Sequence, residues 1–306
     1  MRKLTILIAA WVVAGLARGA AGSCDRLWVG GHELWMTRGE EASLVASDPR
    51  GILLPRWSPD GDRIAYAHDF QFDGGVPSEM VIINERGVVV HTLPIPLDSE
   101  VNAIFELGWR DDQHPFVEGH VNPSTAVFLE WDLDSRRLVD ERVGSCFAVS
   151  PNGRYIAQRA HVPHGTPPPY DSSWLVIDGK IVFPEAGASD YHDFAANLAW
   201  SSDSSRLALI DQSGGRTEVV IVDPVDGAAT HVPIAGAFTR SELSWSGQNT
   251  IVIRDGEHEW RVEVTSGKVE KAAAPPDAAQ DEKPPAALRD LVPEVAPSAE
   301  DTRCRD

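Results

Sequence analysis

One short phrase returns at near-regular intervals along the chain, and a repeat of that spacing limits the folds open to it. It reads Trp57-Ser58-Pro59-Asp60-Gly61-Asp62-Arg63-Ile64-Ala65-Tyr66 and recurs from Val149 to Ala157 and from Trp200 to Leu209. Worn copies begin at Trp109 and Trp245. The anchors 57, 109, 149, 200 and 245 are 52, 40, 51 and 45 residues apart, a period that marks a blade array or a solenoid. Each copy closes one apolar run, passes through a Ser-Pro-Asp-Gly type turn and opens a second apolar run. Proline presets φ, Asp or Asn bonds its own backbone, and glycine takes the positive φ that other residues resist, so the phrase predicts a hairpin.

A third apolar run follows in every copy: Met80 to Ile83, Val127 to Trp131, Trp174 to Ile177, Val219 to Val222 and Trp260 to Val264. A weaker fourth run follows each. Four short strands per repeat, rich in Trp, Val and Ile, read as one blade of an all-β propeller. Five repeats are clear, and the runs between Arg26 and Ala46 form most of a sixth. About six four-stranded blades are therefore expected, with the N-terminal blade three-stranded. Leu288 to Val295 is the one C-terminal candidate for its missing innermost strand. The recurring Trp57, Trp109, Trp200 and Trp245, with Val149 in the third copy, are expected to pack between neighbouring sheets.

Over residues 27 to 271 the phrase resembles the TolB-type WD40-like β-propeller repeat family. The resemblance implies a propeller found in periplasmic and secreted proteins, where the same repeat serves adaptors, peptidase-associated domains and lyases, so it speaks to fold more than to activity. The domain that precedes the propeller in TolB has no counterpart in this sequence.

Met1-Arg2-Lys3 followed by the apolar Leu4 to Leu16 reads as a signal peptide, residues 1–21, with cleavage after Ala21. The propeller is then expected over 25–271, exported to the periplasm or secreted. An alternative is a lipoprotein, because Ala21-Gly22-Ser23-Cys24 loosely resembles a lipobox; only lipidation of Cys24 would bring a membrane into play. Residues 272–306 hold nine alanines, six prolines, four basic and eight acidic residues, a composition expected to give a disordered tail. Of the three cysteines, Cys146 is expected as a buried thiol on an innermost strand, and Cys24 is open to a bridge with either Cys146 or Cys304.

A net charge of −19, without a basic cluster, excludes nucleic-acid binding through phosphate contacts. The acidic surface points to a protein partner, with a glycan as the alternative. The long segments His68 to Ser78, Pro94 to Ala103, His161 to Ser172 and Pro184 to Asn197 should gather on one face, where long loops on a rigid scaffold carry function. They hold the binding-face candidates His68, Asp69, Phe70, Phe72, Asp73, His161, His164, Tyr170, Asp171, Asp190, Tyr191 and His192. Aromatic rings among carboxylates suit a contact surface. No cofactor is expected on this reading. In the alternative, a polysaccharide lyase or hydrolase, His161, His164 and His192 ligate a divalent metal while Asp171, Asp190 or Tyr191 assists proton transfer. The chain has no Gly-x-Ser-x-Gly elbow, His-Glu-x-x-His or phosphate-cradling glycine loop, so the sequence points away from an enzyme.

Overall fold

The computed structural model describes residues 24–30, 32–39, 41–68, 79–96, 101–121, 125–161, 172–185, 191–236, 238, 241–255, 257–274 and 299–304. Among these the protein is all β, and no helix is long and apolar enough to cross a membrane. The chain begins with β1 (Cys24–Gly30), β2 (Glu33–Arg38) and β3 (Glu41–Ser47). A four-stranded sheet follows: β4 (Leu53–Trp57), β5 (Arg63–Ala67), β6 (Glu79–Asn84) and β7 (Val89–Pro94). The next sheet has seven strands, β8 (Val101–Asp111), β9 (His114–Val121), β10 (Thr125–Asp132), β11 (Arg137–Val149), β12 (Ile156–His161), β13 (Ser173–Ile177) and β14 (Lys180–Phe183). Two further four-stranded sheets are β15 (His192–Trp200), β16 (Leu207–Ser213), β17 (Arg216–Val222) and β18 (Ala229–Pro233), then β19 (Glu242–Ser246), β20 (Thr250–Arg254), β21 (His258–Glu263) and β22 (Val269–Ala273). A last strand, β23 (Ala299–Cys304), pairs antiparallel with β1 and completes the first sheet in the order β23-β1-β2-β3.

The seven-stranded sheet turns on the long β11. Residues Arg137 to Gly144 pair with β10, and beyond Gly144 the strand changes partner, with Ser145, Ala148 and Val149 paired to β12. Apolar clusters lie between successive sheets. Leu27, Leu34, Trp57 and Ile64 join the first sheet to the second, while Ile82, Leu93, Leu107 and Leu129 join the second to the seven-stranded sheet. Phe128, Phe147 and Ile156 pack between the two halves of the latter. Leu175, Phe183, Phe194 and Leu209, then Ile210, Phe238, Ile251 and Trp260, continue the series. The core is therefore a row of face-to-face packings, as blades require.

The repeated phrase works at two levels. Within a turn, the buried Ser58, Ser150 and Ser201 each accept the N–H of the residue five positions on, at 2.9–3.0 Å, and donate to Asp60, Asn152 and Asp203. Gly61, Gly153 and Ser204 donate to the carbonyls of those serines at 2.8 Å, all three with φ between 60° and 72°. Between sheets, three of the anchor tryptophans donate their indole N–H to the previous sheet's innermost strand. Trp109 bonds the Arg56 carbonyl at 3.2 Å, Trp200 that of Ala148 at 3.0 Å and Trp245 that of Ala199 at 2.9 Å. Arg63 covers the Trp109 ring, Tyr155 stacks on Trp200 and Arg206 covers Trp245, all from one phrase position. The turns also bond side by side: Asp60 N–H to Asp112 at 2.8 Å, Arg110 to the Gly153 carbonyl at 2.6 Å, and Asn152 N–H to Ser204 at 3.0 Å. The anchors are packing residues between sheets, Trp57 buried and the others half-buried.

Two expectations are corrected. The strand completing the first sheet is Ala299–Cys304 rather than Leu288 to Val295, so that sheet has four strands instead of three. The apolar pattern pointed to the wrong segment because a strand held by backbone pairing needs no apolar run. Pro184 to Asn197 is not loop throughout: from His192 onward it is β15, with a bulge between Ala195 and Ala199 and Ala196 at φ 78°. Similar bulges precede the anchors in β4, β8 and β11, with Leu54 and Cys146 both at φ 51°. Cys146 is accordingly half-buried rather than enclosed.

Candidate functional site

The side-by-side bonding of the short turns sets the opposite strand ends together at the other face. That face carries the ends of β5 and β12, the start of β15 and the β3–β4 connection. Two imidazole–carboxylate pairs stand there. His68 directly follows β5 and is 3% exposed; its Nε2 lies 2.8 Å from Oδ2 of the buried Asp48, from the β3–β4 connection. Arg50 closes the arrangement, its guanidinium reaching Glu79 at 2.7 Å and its backbone N–H donating to Asp48 Oδ1 at 3.0 Å. Burial alone would raise the Asp48 carboxyl, but the Arg50 amide and His68 together hold it below the usual carboxylate range. The Tyr66 hydroxyl, buried and facing Asp48, is pushed up to about 12.

The second pair joins the first residue of β15 to β16. His192 Nδ1 lies 2.8 Å from Oδ2 of Asp211, which is 2% exposed. Burial raises the Asp211 carboxyl, with the His192 bond opposing. The His192 N–H also donates to Ser172 Oγ at 3.1 Å, tying the segment ahead of β13 to the segment ahead of β15. The Phe183 ring meets His192 edge-on at 5.5 Å. Tyr191 beside it is 46% exposed.

Of the residues singled out from sequence, His68, Tyr191 and His192 are therefore located with their side chains. His161 ends β12, and its side chain lies outside the described part of the structure. Asp69, Phe70, Phe72, Asp73, His164, Tyr170, Asp171 and Asp190 lie outside the described residues. His68 and His192 belong to different sheets, each held by its own carboxylate. Among the described residues no group of three His, Cys, Asp or Glu side chains is placed to hold a metal ion. Asp48 and Asp211 carry no motif and were not found from sequence; the signal available was a charged residue inside or beside an apolar strand.

A third feature was also missed. Glu106 on β8 and Glu118 on β9 are ladder partners. Glu118 is 7% exposed and is pushed up to about 7, by burial first and then by the Glu106 charge, while the Phe147 N–H opposes the shift. Glu106 has much accessible surface, yet protein surrounds it closely enough that burial raises it too, against the pull of Arg56. Glu118 is thus a carboxyl whose charge changes near neutral pH, beside a second carboxyl that burial also raises.

No family model matches the chain. No curated protein matches it either. Among solved structures it is similar to an oligogalacturonate lyase from Vibrio parahaemolyticus, 11% identical with a TM-score of 0.53, covering 82% of this chain and 79% of that one. An oligogalacturonate lyase in complex with manganese is 13% identical with the same TM-score, covering 81% and 72%. TolB from Acinetobacter baumannii is 17% identical with a TM-score of 0.45; the match covers 83% of this chain and 64% of that one. The likenesses at 0.53 show a β-propeller fold.

Proposed function

We propose that the protein is an exported propeller of about six blades, a binding module of the cell envelope that engages a protein partner through the face carrying its long segments. The blade count takes the two halves of β11 as the outermost strand of one blade and the innermost strand of the next. One observation carries the binding reading. The two imidazole–carboxylate pairs, the buried His68–Asp48 and the part-buried His192–Asp211, brace the strand ends from which the long segments leave. Each histidine is used to fix its own surroundings, as a rigid platform for recognition requires. The exposed Tyr191 supplies apolar area with a polar end at that platform. Export, periplasmic location and the protein partner all belong to this proposal, and a glycan is the alternative ligand.

The test compares capture from the envelope fraction by the wild type and by a variant combining Tyr191→Ala with a Gly-Ser turn in place of residues 162–171. Loss of the captured partner with an unchanged melting curve is the expected result. Undiminished capture overturns the reading.

A metal-dependent lyase or hydrolase is the second reading, and one geometric detail favours it. Asp211 occupies Nδ1 of His192, which leaves Nε2 as the ligating nitrogen, the arrangement in which a carboxylate orients a metal-bound histidine. His161 and His164 would be the other ligands. Stoichiometric metal in protein purified without chelator, lost in His192→Ala, would put this reading ahead.

A further inference from the structure

The pairing of the chain ends sets two cysteines opposite one another. β1 and β23 are antiparallel, and in their ladder Cys24 is the direct partner of Cys304, followed by Asp25 opposite Arg303 and Arg26 opposite Thr302. We propose that Cys24 and Cys304 form a disulfide that clasps the two ends of the chain and holds the closing strand in the first sheet.

Directly opposed residues of an antiparallel ladder have Cα atoms about 4.5 or about 5.5 Å apart, according to whether the pair exchanges hydrogen bonds. Both spacings lie within the roughly 4.4–6.8 Å that a disulfide spans. The competing bridge from sequence, Cys24 to Cys146, has no such support. Cys146 lies on β11 in the seven-stranded sheet and is a free thiol, which burial raises above its ordinary value and so keeps protonated and unreactive. With Cys24 and Cys304 joined, the three cysteines divide into one bond and one inert thiol.

The clasp also has a physical purpose. Residues 275–298, rich in proline and alanine, separate β23 from β22, and β23 itself, Ala-Glu-Asp-Thr-Arg-Cys, has almost no apolar content. Its backbone pairs with β1, and a bond across its last residue prevents it from peeling away. Because the loop so closed is nearly the whole chain, the constraint on the unfolded state is near the upper end for disulfides. In chemical terms, the two thiols give up two protons and two electrons as one Sγ–Sγ bond forms. A small-molecule or protein disulfide accepts them and is reduced to two thiols. The same bond uses the Cys24 sulfur that lipidation would require, so a clasped protein is not anchored through Cys24. The inference rests on the export reading for the presence of the bond in the cell, but not for its ability to form.

The test uses the full chain, purified and equilibrated in a glutathione redox buffer of oxidising poise. The expected result is one reactive thiol per denatured chain, an intact mass 2 Da below the fully reduced form, and a peptide linking Cys24 to Cys304 (roughly 1 Da lost per thiol oxidised). Dithiothreitol should lower the wild-type melting temperature by about 5–15 °C. It should leave Cys304→Ser and Cys24→Ser unmoved, both melting near the reduced wild type. Three reactive thiols in that buffer, a Cys24–Cys146 linkage, or lipid on Cys24 of the mature protein each overturn the proposal. The redox state on extraction reports separately on export: a chain that forms the bond in buffer but carries three thiols when freshly extracted supports the clasp and counts against the export reading.

Discussion

The Glu106–Glu118 pair makes stability depend on pH in a direction opposite to that of most carboxylates. Glu118 moves from an ordinary 4.5 to about 7 in the folded protein. Between those values the native chain holds a proton that the unfolded chain has released, so stability from this group falls as pH rises and is lost above about 7. At about 1.36 kcal/mol per pH unit, that interval amounts to about 3 kcal/mol at pH 8, an upper figure because Glu106 is raised as well and shares the proton economy. Glu118→Gln removes the charge and keeps an oxygen to accept the Phe147 N–H. The variant should be more stable than wild type by about 2–3 kcal/mol at pH 8 and about equal at pH 4. Urea unfolding of both proteins at the two pH values measures this difference, since titration of the carboxylates other than Glu106 cancels between them. An equal difference at both pH values, or a less stable variant at pH 8, would refute the assignment of burial and the neighbouring charge as the cause.

Three further substitutions, one of them a control, test the sheet-to-sheet contacts. A Cβ on Gly153 would lie 2.2 Å from the Arg110 carbonyl oxygen, whereas one on Gly267 meets nothing within 4 Å, although both residues have positive φ. Gly153→Ala should therefore cost about 3 kcal/mol or more and Gly267→Ala about 1 kcal/mol, compared by thermal melts; equal costs would mean that φ strain alone is felt. Trp245→Phe keeps the ring under Arg206 but loses the bond to Ala199, and should cost about 1–2 kcal/mol by denaturant unfolding.

How far the fold could be read from sequence follows from which forces leave a local mark. The Ser-Pro-Asp-Gly turn does so because its hydrogen bonds close within six residues, as at Ser58 to Arg63. The anchor tryptophans do so because Trp109, Trp200 and Trp245 each meet the equivalent carbonyl in the previous sheet. β23 leaves none, since its partners lie near the other end of the chain and its pairing is between backbones. The continuous β11 was legible only as a short interval, the 40 residues between the anchors at 109 and 149, because one strand serves where two would stand. At the candidate site His68 and His192 were visible as histidines in long segments. Their partners Asp48 and Asp211 come from the preceding connection and the adjacent strand, distances in sequence at which no motif operates.

The repeat also explains why the face opposite the turns lacks repetition. The turn residues of the phrase are engaged on the turn side: Ser58 and Asp60 close their own turn, Arg63 covers the next sheet's tryptophan, and Trp109 bonds back to Arg56. That side is bound by contacts that must match from sheet to sheet, so its residues cannot vary independently. At the opposite strand ends the matching contacts stop, and the paired groups differ from sheet to sheet: a histidine, tyrosine, arginine and two carboxylates around His68, but a histidine between a phenylalanine and one aspartate at His192. Residues free of the repeat constraint are the ones able to discriminate a ligand. Substitutions at its exposed positions, such as Tyr191, should alter recognition with little effect on stability, while substitutions in the phrase should do the reverse.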